Sequence, residues 1–258
     1  MDLGISGRKA LVCASSRGLG RACAEALAKE GVHVFINGRD EKRLAQTLEE
    51  FRSLGLQATA VTGDVTTDTG RSALLAACPD PDILINNNAG PSPRSFVEID
   101  HEDWLAGLEA NMIAPLLLLR ALLPGMRKRQ FGRIINITSA MVKLPHPSMA
   151  LSSGARAGLT AVMKGQSVDC ARDNVTVNNL LPYIIDTDRQ RWLAQRRVDQ
   201  EKISFEQARA DQIRGVAAKR MGEPREFGAI CAFLCSAHAG YISGQSIHVD
   251  GGSYPGLI

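Results

Sequence analysis

KALVCASSRGLGRACAEALAKEGVHVFING, Lys9–Gly38, runs from an apolar, strand-like segment through a glycine turn into an amphipathic helical segment and on to a second apolar segment. The first segment is continuously apolar instead of alternating, as a strand buried on both faces must be. Gly18 and Gly20 hold the turn, the helical pattern reaches Lys29, and Gly31 stands where a helix stops. Strand, turn, helix and strand in that order make a βαβ unit with parallel strands.

Outward from this unit the alternation continues. A helical pattern follows VHVFING from Asp40, placed to cap it, to Leu54; ATAVTGD leads into a short helix ending at Cys78. DILINN precedes a long helix around Asn111, RIINITS a helix from about Gly154 to Arg172, and VTVNNLL closes the series before a last helix, Arg225–Cys235. The pattern predicts an α/β fold: a doubly wound, Rossmann-like parallel sheet with helices on both faces, in one domain over residues 1–258. A polar segment rich in Arg and Gln, at about 187–220, breaks the rhythm. In such folds it falls beyond the carboxyl ends of the strands, where ligands bind, and it is a candidate substrate lid.

Composition removes several classes of function. A net charge of +3 with dispersed Lys and Arg argues against nucleic acid as a partner. The six cysteines show neither a CxxC pair nor zinc-ligand spacing, so no metal site and no disulfide framework is expected. Reduced, buried thiols point to the cytoplasm. MDLGISGRKALV lacks the charged and long apolar regions of a secretory signal. MIAPLLLL, Met112–Leu119, falls far short of the roughly 20 residues that span a bilayer, so it reads as a buried helix, with no membrane partner.

The glycine turn carries chemistry as well as shape. Glycines there let the backbone approach a pyrophosphate, which the free N–H groups and the positive end of the helix favour. In this setting the sequence resembles the short-chain dehydrogenase/reductase family over nearly its whole length. The family's TGxxxGxG pattern falls on Cys13, Ala14, Gly18 and Gly20, with alanine in place of the first glycine. Asp64 in GDV matches the acid that holds the adenine, Asn87–Gly90 the NNAG stretch, and Asn111 the asparagine of the catalytic set; VTVNNLLP and ISGQSIHVDGG match the closing elements. The resemblance places a coenzyme against Ala14, Ser16, Arg17, Gly18, Leu19 and Gly20, then Arg39, Asp64 and Val65, then Asn88, Ala89 and Gly90, and finally Arg156 and Ile185.

The second strand ends in Asn37, Gly38 and Arg39, without the acid that binds ribose hydroxyls in NAD enzymes. Arg39 and Arg17 instead suit a 2′-phosphate, so NADP(H) is favoured over NAD(H). Asp40 is the opposing feature, being able to turn inward.

The resemblance implies a serine that orients the substrate oxygen, a tyrosine acid or base, and a lysine that binds the nicotinamide ribose. Ser139 matches the serine, but the YxxxK pair reads Ser152 and Arg156. The spacing survives, because residues four apart share a helix face, and the chemistry changes. An aliphatic hydroxyl is far less acidic than a phenol, whose pKa is about 10, and arginine does not relay protons. Arg156 can clamp the ribose or stabilise an oxyanion. The proton then has three sources: Tyr183, which follows Pro182 where the family has glycine; His146, on the loop between Ser139 and Ser152; or water. Asn111 would hold a water of the relay.

These features predict an NADP(H)-dependent oxidoreductase that reduces a carbonyl or oxidises an alcohol, similar to 3-oxoacyl-carrier-protein reductases. The alternative is a catalytically weakened protein that senses a nucleotide on the same scaffold. Arg189, Arg191, Arg196, Arg197, Arg209 and Arg214 in the lid segment raise an anionic small-molecule substrate, against internal ion pairing with the acids among them. The family's assembly through helices and closing strand implies a homodimer or homotetramer, with MIAPLLLLRALL and HVDGGSYPGLI at the contacts.

Overall fold

A computed structural model describes residues 1–257. Strands β1 (Lys9–Val12), β2 (His33–Gly38), β3 (Ala58–Thr62), β4 (Ile83–Asn86), β5 (Gly132–Ile137), β6 (Val175–Pro182) and β7 (Ser246–Val249) form one sheet in the order β3-β2-β1-β4-β5-β6-β7. Every neighbouring pair is parallel. The strand order reverses between β1 and β4, and that reversal opens a crevice at their carboxyl ends.

The connections are α1 (Gly18–Lys29), α2 (Glu41–Ser53), α3 (Asp68–Ala77), α4 (His101–Leu108), α5 (Ala114–Lys128), α6 (Ala150–Cys170), α7 (Asp188–Glu201), α8 (Phe205–Arg214) and α9 (Pro224–Leu234). One face of the sheet is sealed by a cluster containing Leu27, Val34, Ile36 and Phe227, the other by one containing Leu11, Leu84, Leu118 and Met163. The predicted doubly wound fold is the one observed.

Three local readings differ. Helix α6 starts at Ala150, ahead of the predicted Gly154, because a 3-10 turn at Pro147–Met149 feeds straight into it. Ser152 therefore sits in its first turn. The long helix around Asn111 is divided by a π turn, Glu109–Ile113, between α4 and α5. An inserted residue of this kind leaves no mark in a 3.6-residue period. MIAPLLLL is buried on one face only: Leu118 and Leu119 are covered, whereas Ile113 is 37% exposed. The continuous run His101–Lys128 is in fact long and apolar enough, by length and composition, to cross a membrane. An amphipathic stripe packs on the sheet and leaves the remaining side exposed.

Candidate active site

A cleft of about 960 Å³ opens at the carboxyl ends of β1, β4, β5 and β6. The Gly18 turn lies at its base. Ala14 leaves β1 with φ +44°; its N–H donates to Asn37 Oδ1 (3.1 Å), and its carbonyl accepts from Asn87 Nδ2 (3.1 Å). Helix α1 then begins with no side-chain cap and no acid in its first turn. Its positive end therefore faces the cleft unneutralised, beside Ser16, Arg17, Gly18 and Leu19. Gly18, at φ +59°, makes the left-handed turn that an L side chain resists.

Alanine at 14 occupies the same region at a cost of about 1–2 kcal/mol, partly offset by the lower entropy of its unfolded chain. Ala14→Gly is expected to raise stability by up to about 1 kcal/mol, roughly 2–4 °C in Tm, read by thermal unfolding of the pure protein. An unchanged or lower Tm refutes the strain.

Arg17, Arg39 and Arg43 gather at the β2 end of the cleft. Asp40 also lines this end, and its Oδ1 caps α2 by accepting from the Arg43 N–H at 3.1 Å. Arg39 is largely exposed and pairs with Asp64 at 3.2 Å. Burial pushes the Asp64 carboxyl up, but the N–H and hydroxyl of Thr66 and the Arg39 guanidinium outweigh it, leaving the group below its ordinary value. Asp64 is thus an anion at neutral pH, with Val65 beside it in the wall.

At the opposite end stand Ser139, Ser152, Arg156 and Tyr183, with Asn88, Ala89, Gly90 and Ile185 around them. Ser139 caps a 3-10 turn and accepts from the Met141 N–H at 3.2 Å. Arg156 is 7% exposed and donates to the Ile137 carbonyl (2.6 Å), the Asn88 carbonyl (3.3 Å) and Ser152 Oγ (3.3 Å). No carboxylate pairs with it among the described residues. Burial, followed by repulsion from Arg189, lowers its pKa to about 10, so it stays a cation at neutral pH. Tyr183 is fixed through its backbone N–H to the Val249 carbonyl, 3.2 Å, and its phenol has no hydrogen-bond partner among the described residues.

Three candidates stand outside the cleft lining: Gly20, buried in the first turn of α1, Asn111 and His146. Asn111 lies buried in the π turn behind the cleft, with Nδ2 on the Gly107 carbonyl at 3.4 Å and Oδ1 without a partner among the described residues; Asn88 Nδ2 ties the same turn to the wall through the Ala110 carbonyl. His146 is exposed and uses Nδ1 to accept from the Ser148 N–H at 3.3 Å, capping the 3-10 turn before α6.

The lid arginines divide into two groups. Arg191, Arg197, Arg209 and Arg214 pair with Asp186, Asp188, Glu201 or Asp211. Arg189 and Arg196 have no carboxylate partner among the described residues; both flank the Trp192 ring, at 4.8 and 5.8 Å from its centroid. Sequence reasoning did not single out Trp192 or Arg43 as cleft residues, and no motif marks them. Asn37 was read only as a strand end, although its buried amide also binds the Val61 and Gly63 carbonyls and so fixes the whole crevice.

Residues 13–254 match a family described as enoyl-(acyl carrier protein) reductase. The chain is 32% identical over 256 residues to the 3-oxoacyl-[acyl-carrier-protein] reductase FabG of Vibrio cholerae, covering 98% of this chain and 99% of that one. It is 32% identical over 255 residues to the NADPH-dependent reductase BacG of Bacillus subtilis, covering 96% and 98%. Among solved structures, L-sorbose reductase from Gluconobacter frateurii, complexed with NADPH and L-sorbose, aligns with a TM-score of 0.95 at 30% identity over 100% of both chains.

Proposed function

The chain belongs to the short-chain dehydrogenase/reductase family, and from that membership we propose that it is an NADP(H)-dependent oxidoreductase reducing a carbonyl or oxidising an alcohol of a small molecule. The observation that carries this reading is a single cleft with an uncapped helix end at its base and Ser139, Arg156 and Tyr183 at its far wall. Its curated relatives are reductases over essentially their full length, and the sensor alternative gains no support from them.

The residues present fit the coenzyme. The open N-terminus of α1 suits a pyrophosphate, and the cluster of Arg17, Arg39 and Arg43, with Asp40 occupied by its helix, suits a 2′-phosphate. When bound, the nicotinamide supplies or accepts the hydride. Ser139 orients the substrate oxygen, and Arg156, locked by two backbone carbonyls, offers its remaining N–H groups to the ribose or to a developing oxyanion. Tyr183 gives or takes the proton from the β6 side, standing in for the phenol that α6 lacks at Ser152. His146, committed to its cap outside the lining, has a structural part, and Asn111 shapes the wall through the π turn.

Titration calorimetry with NADPH and NADH, combined with NADPH consumption on a panel of ketones, aldehydes and acyl thioesters, tests the reading. NADPH is expected to bind more tightly than NADH, and Arg39→Ala to weaken NADPH alone by about ten- to a hundredfold, the loss of one or two charge-assisted hydrogen bonds. Absence of binding by either nucleotide overturns the function; equal weakening of both overturns the 2′-phosphate role.

Helices α7 and α8 form the lid, and the substrate carries negative charge, as Arg189, without a carboxylate partner among the described residues, supports. The partly exposed Leu105, Ile113, Val162 and Val168 of α4 to α6 support a homodimer or homotetramer. The cysteines, all free and buried, support a cytoplasmic setting.

A further inference from the structure

The arginines around the cleft and its lid are not equivalent. Four on α7 and α8 are neutralised by acids in or next to the same segment, among them the Arg197–Glu201 pair at 2.6 Å. Arg156 and Arg189, which line the cleft, have no carboxylate among the described residues. They are anchored on neighbouring carbonyls of one loop, Arg156 on Asn88 and Arg189 on Pro91, in the wall of the same cleft; burial first, then Arg189, lowers Arg156, and burial first, then Arg196, lowers Arg189. Backbone carbonyls of Ile137, Asn88 and Pro91 and the face of Trp192 hold the guanidinium groups in place without cancelling their charge. Arg156 is more than nine-tenths buried, and three of its five N–H groups are accounted for by these bonds and that to Ser152.

Like charges held together in a partly desolvated wall destabilise the empty protein, and an anion seated between them reverses the sign of the interaction. A carboxylate matches the planar guanidinium fork and needs only the donors that remain free. We infer that Arg156 and Arg189 form a carboxylate subsite beside Ser139, and that the substrate is therefore a short oxo acid or the corresponding hydroxy acid. This rests on the reductase reading for the carbonyl half of the ligand, while the subsite itself is an equilibrium property that can be measured without turnover.

The test titrates both the free and the NADP⁺-loaded protein with 2-oxobutanoate, acetoacetate and 4-oxopentanoate, each beside its methyl ester, and with inorganic phosphate. At least one acid is expected to bind about tenfold or more tightly than its ester, with an affinity that falls as salt rises. Arg189→Gln should abolish that preference and leave NADP⁺ affinity intact; Arg197→Gln, a paired cation on the same helix, should leave the preference intact. Equal binding of acids and esters, or an acid preference that survives Arg189→Gln, overturns the inference. So does phosphate binding more tightly than every acid, or an Arg189→Gln defect confined to NADP⁺, which would assign the cations to the coenzyme. Hydride transfer to neutral ketones without any acid preference sinks the subsite and keeps the reductase; Arg189-dependent acid binding in a protein that does not bind NADP⁺ does the opposite.

Discussion

Tyr183→Phe is expected to lower kcat by about 10²- to 10⁴-fold, the usual worth of a general acid, while NADPH affinity and substrate KM stay close to wild type. The substitution removes a hydroxyl that has no hydrogen-bond partner among the described residues, and the residue stays anchored by its backbone bond to Val249, so the fold is not the variable. Ser152 cannot replace the phenol, being an aliphatic hydroxyl that already accepts from Arg156. Arg156 cannot either, because a guanidinium with pKa about 10 holds its protons through the neutral range. In the Tyr183→Phe background, adding Ser152→Tyr and Arg156→Lys should return much of the lost rate, since the phenol then enters the same end of the cleft from α6. Single-turnover NADPH oxidation reads both effects. If Tyr183→Phe leaves the rate intact and the double change on wild type raises it by about 10²-fold or more, water has been the donor and the natural site lacks a protein acid.

The fold was readable because its evidence is periodic and local. KALV, HVFING, ILIN and GRIINI are continuous apolar runs, and each became a parallel strand whose neighbours follow from the doubly wound pattern. The phosphate turn was readable for the same reason, as a glycine pair between a strand and a helix. What remained hidden depends on side chains that meet across long separations. Asn37, a strand-end residue in sequence, fastens the Ala14 loop to β3 through contacts that no spacing announces. Six of the arginines in the lid segment, Arg189 to Arg214, look alike as letters, and only their partners separate the neutralised from the unneutralised. His146 is the converse case: a titratable residue on the right loop, whose Nδ1 caps the turn that launches α6, a contact its position in the sequence does not announce.

Gly20→Ala should weaken NADPH binding by about a hundredfold or more and destabilise the protein by about 3 kcal/mol, beyond the usual range for a single surface change. A Cβ at this position would lie 2.4 Å from the Ala14 carbonyl oxygen and 2.7 Å from Asn87 Nδ2, both below any tolerable contact. Relief would require the turn or the helix to move. The turn is pinned from two directions, by Asn87 on the Ala14 carbonyl and by Asn37 on the Ala14 N–H. Helix α1 is held from behind, where Gly228 of α9 approaches so closely that a Cβ there would lie 2.4 Å from the Ala22 carbonyl oxygen. With neither side free to yield, α1 must tilt away from the base of the cleft, and the N–H groups that meet the pyrophosphate lose their aim. Chemical denaturation reads the stability and calorimetry the binding. Full NADPH affinity in a folded Gly20→Ala protein would mean that the coenzyme does not depend on this turn, and the placement of every group described along the cleft would have to be redrawn.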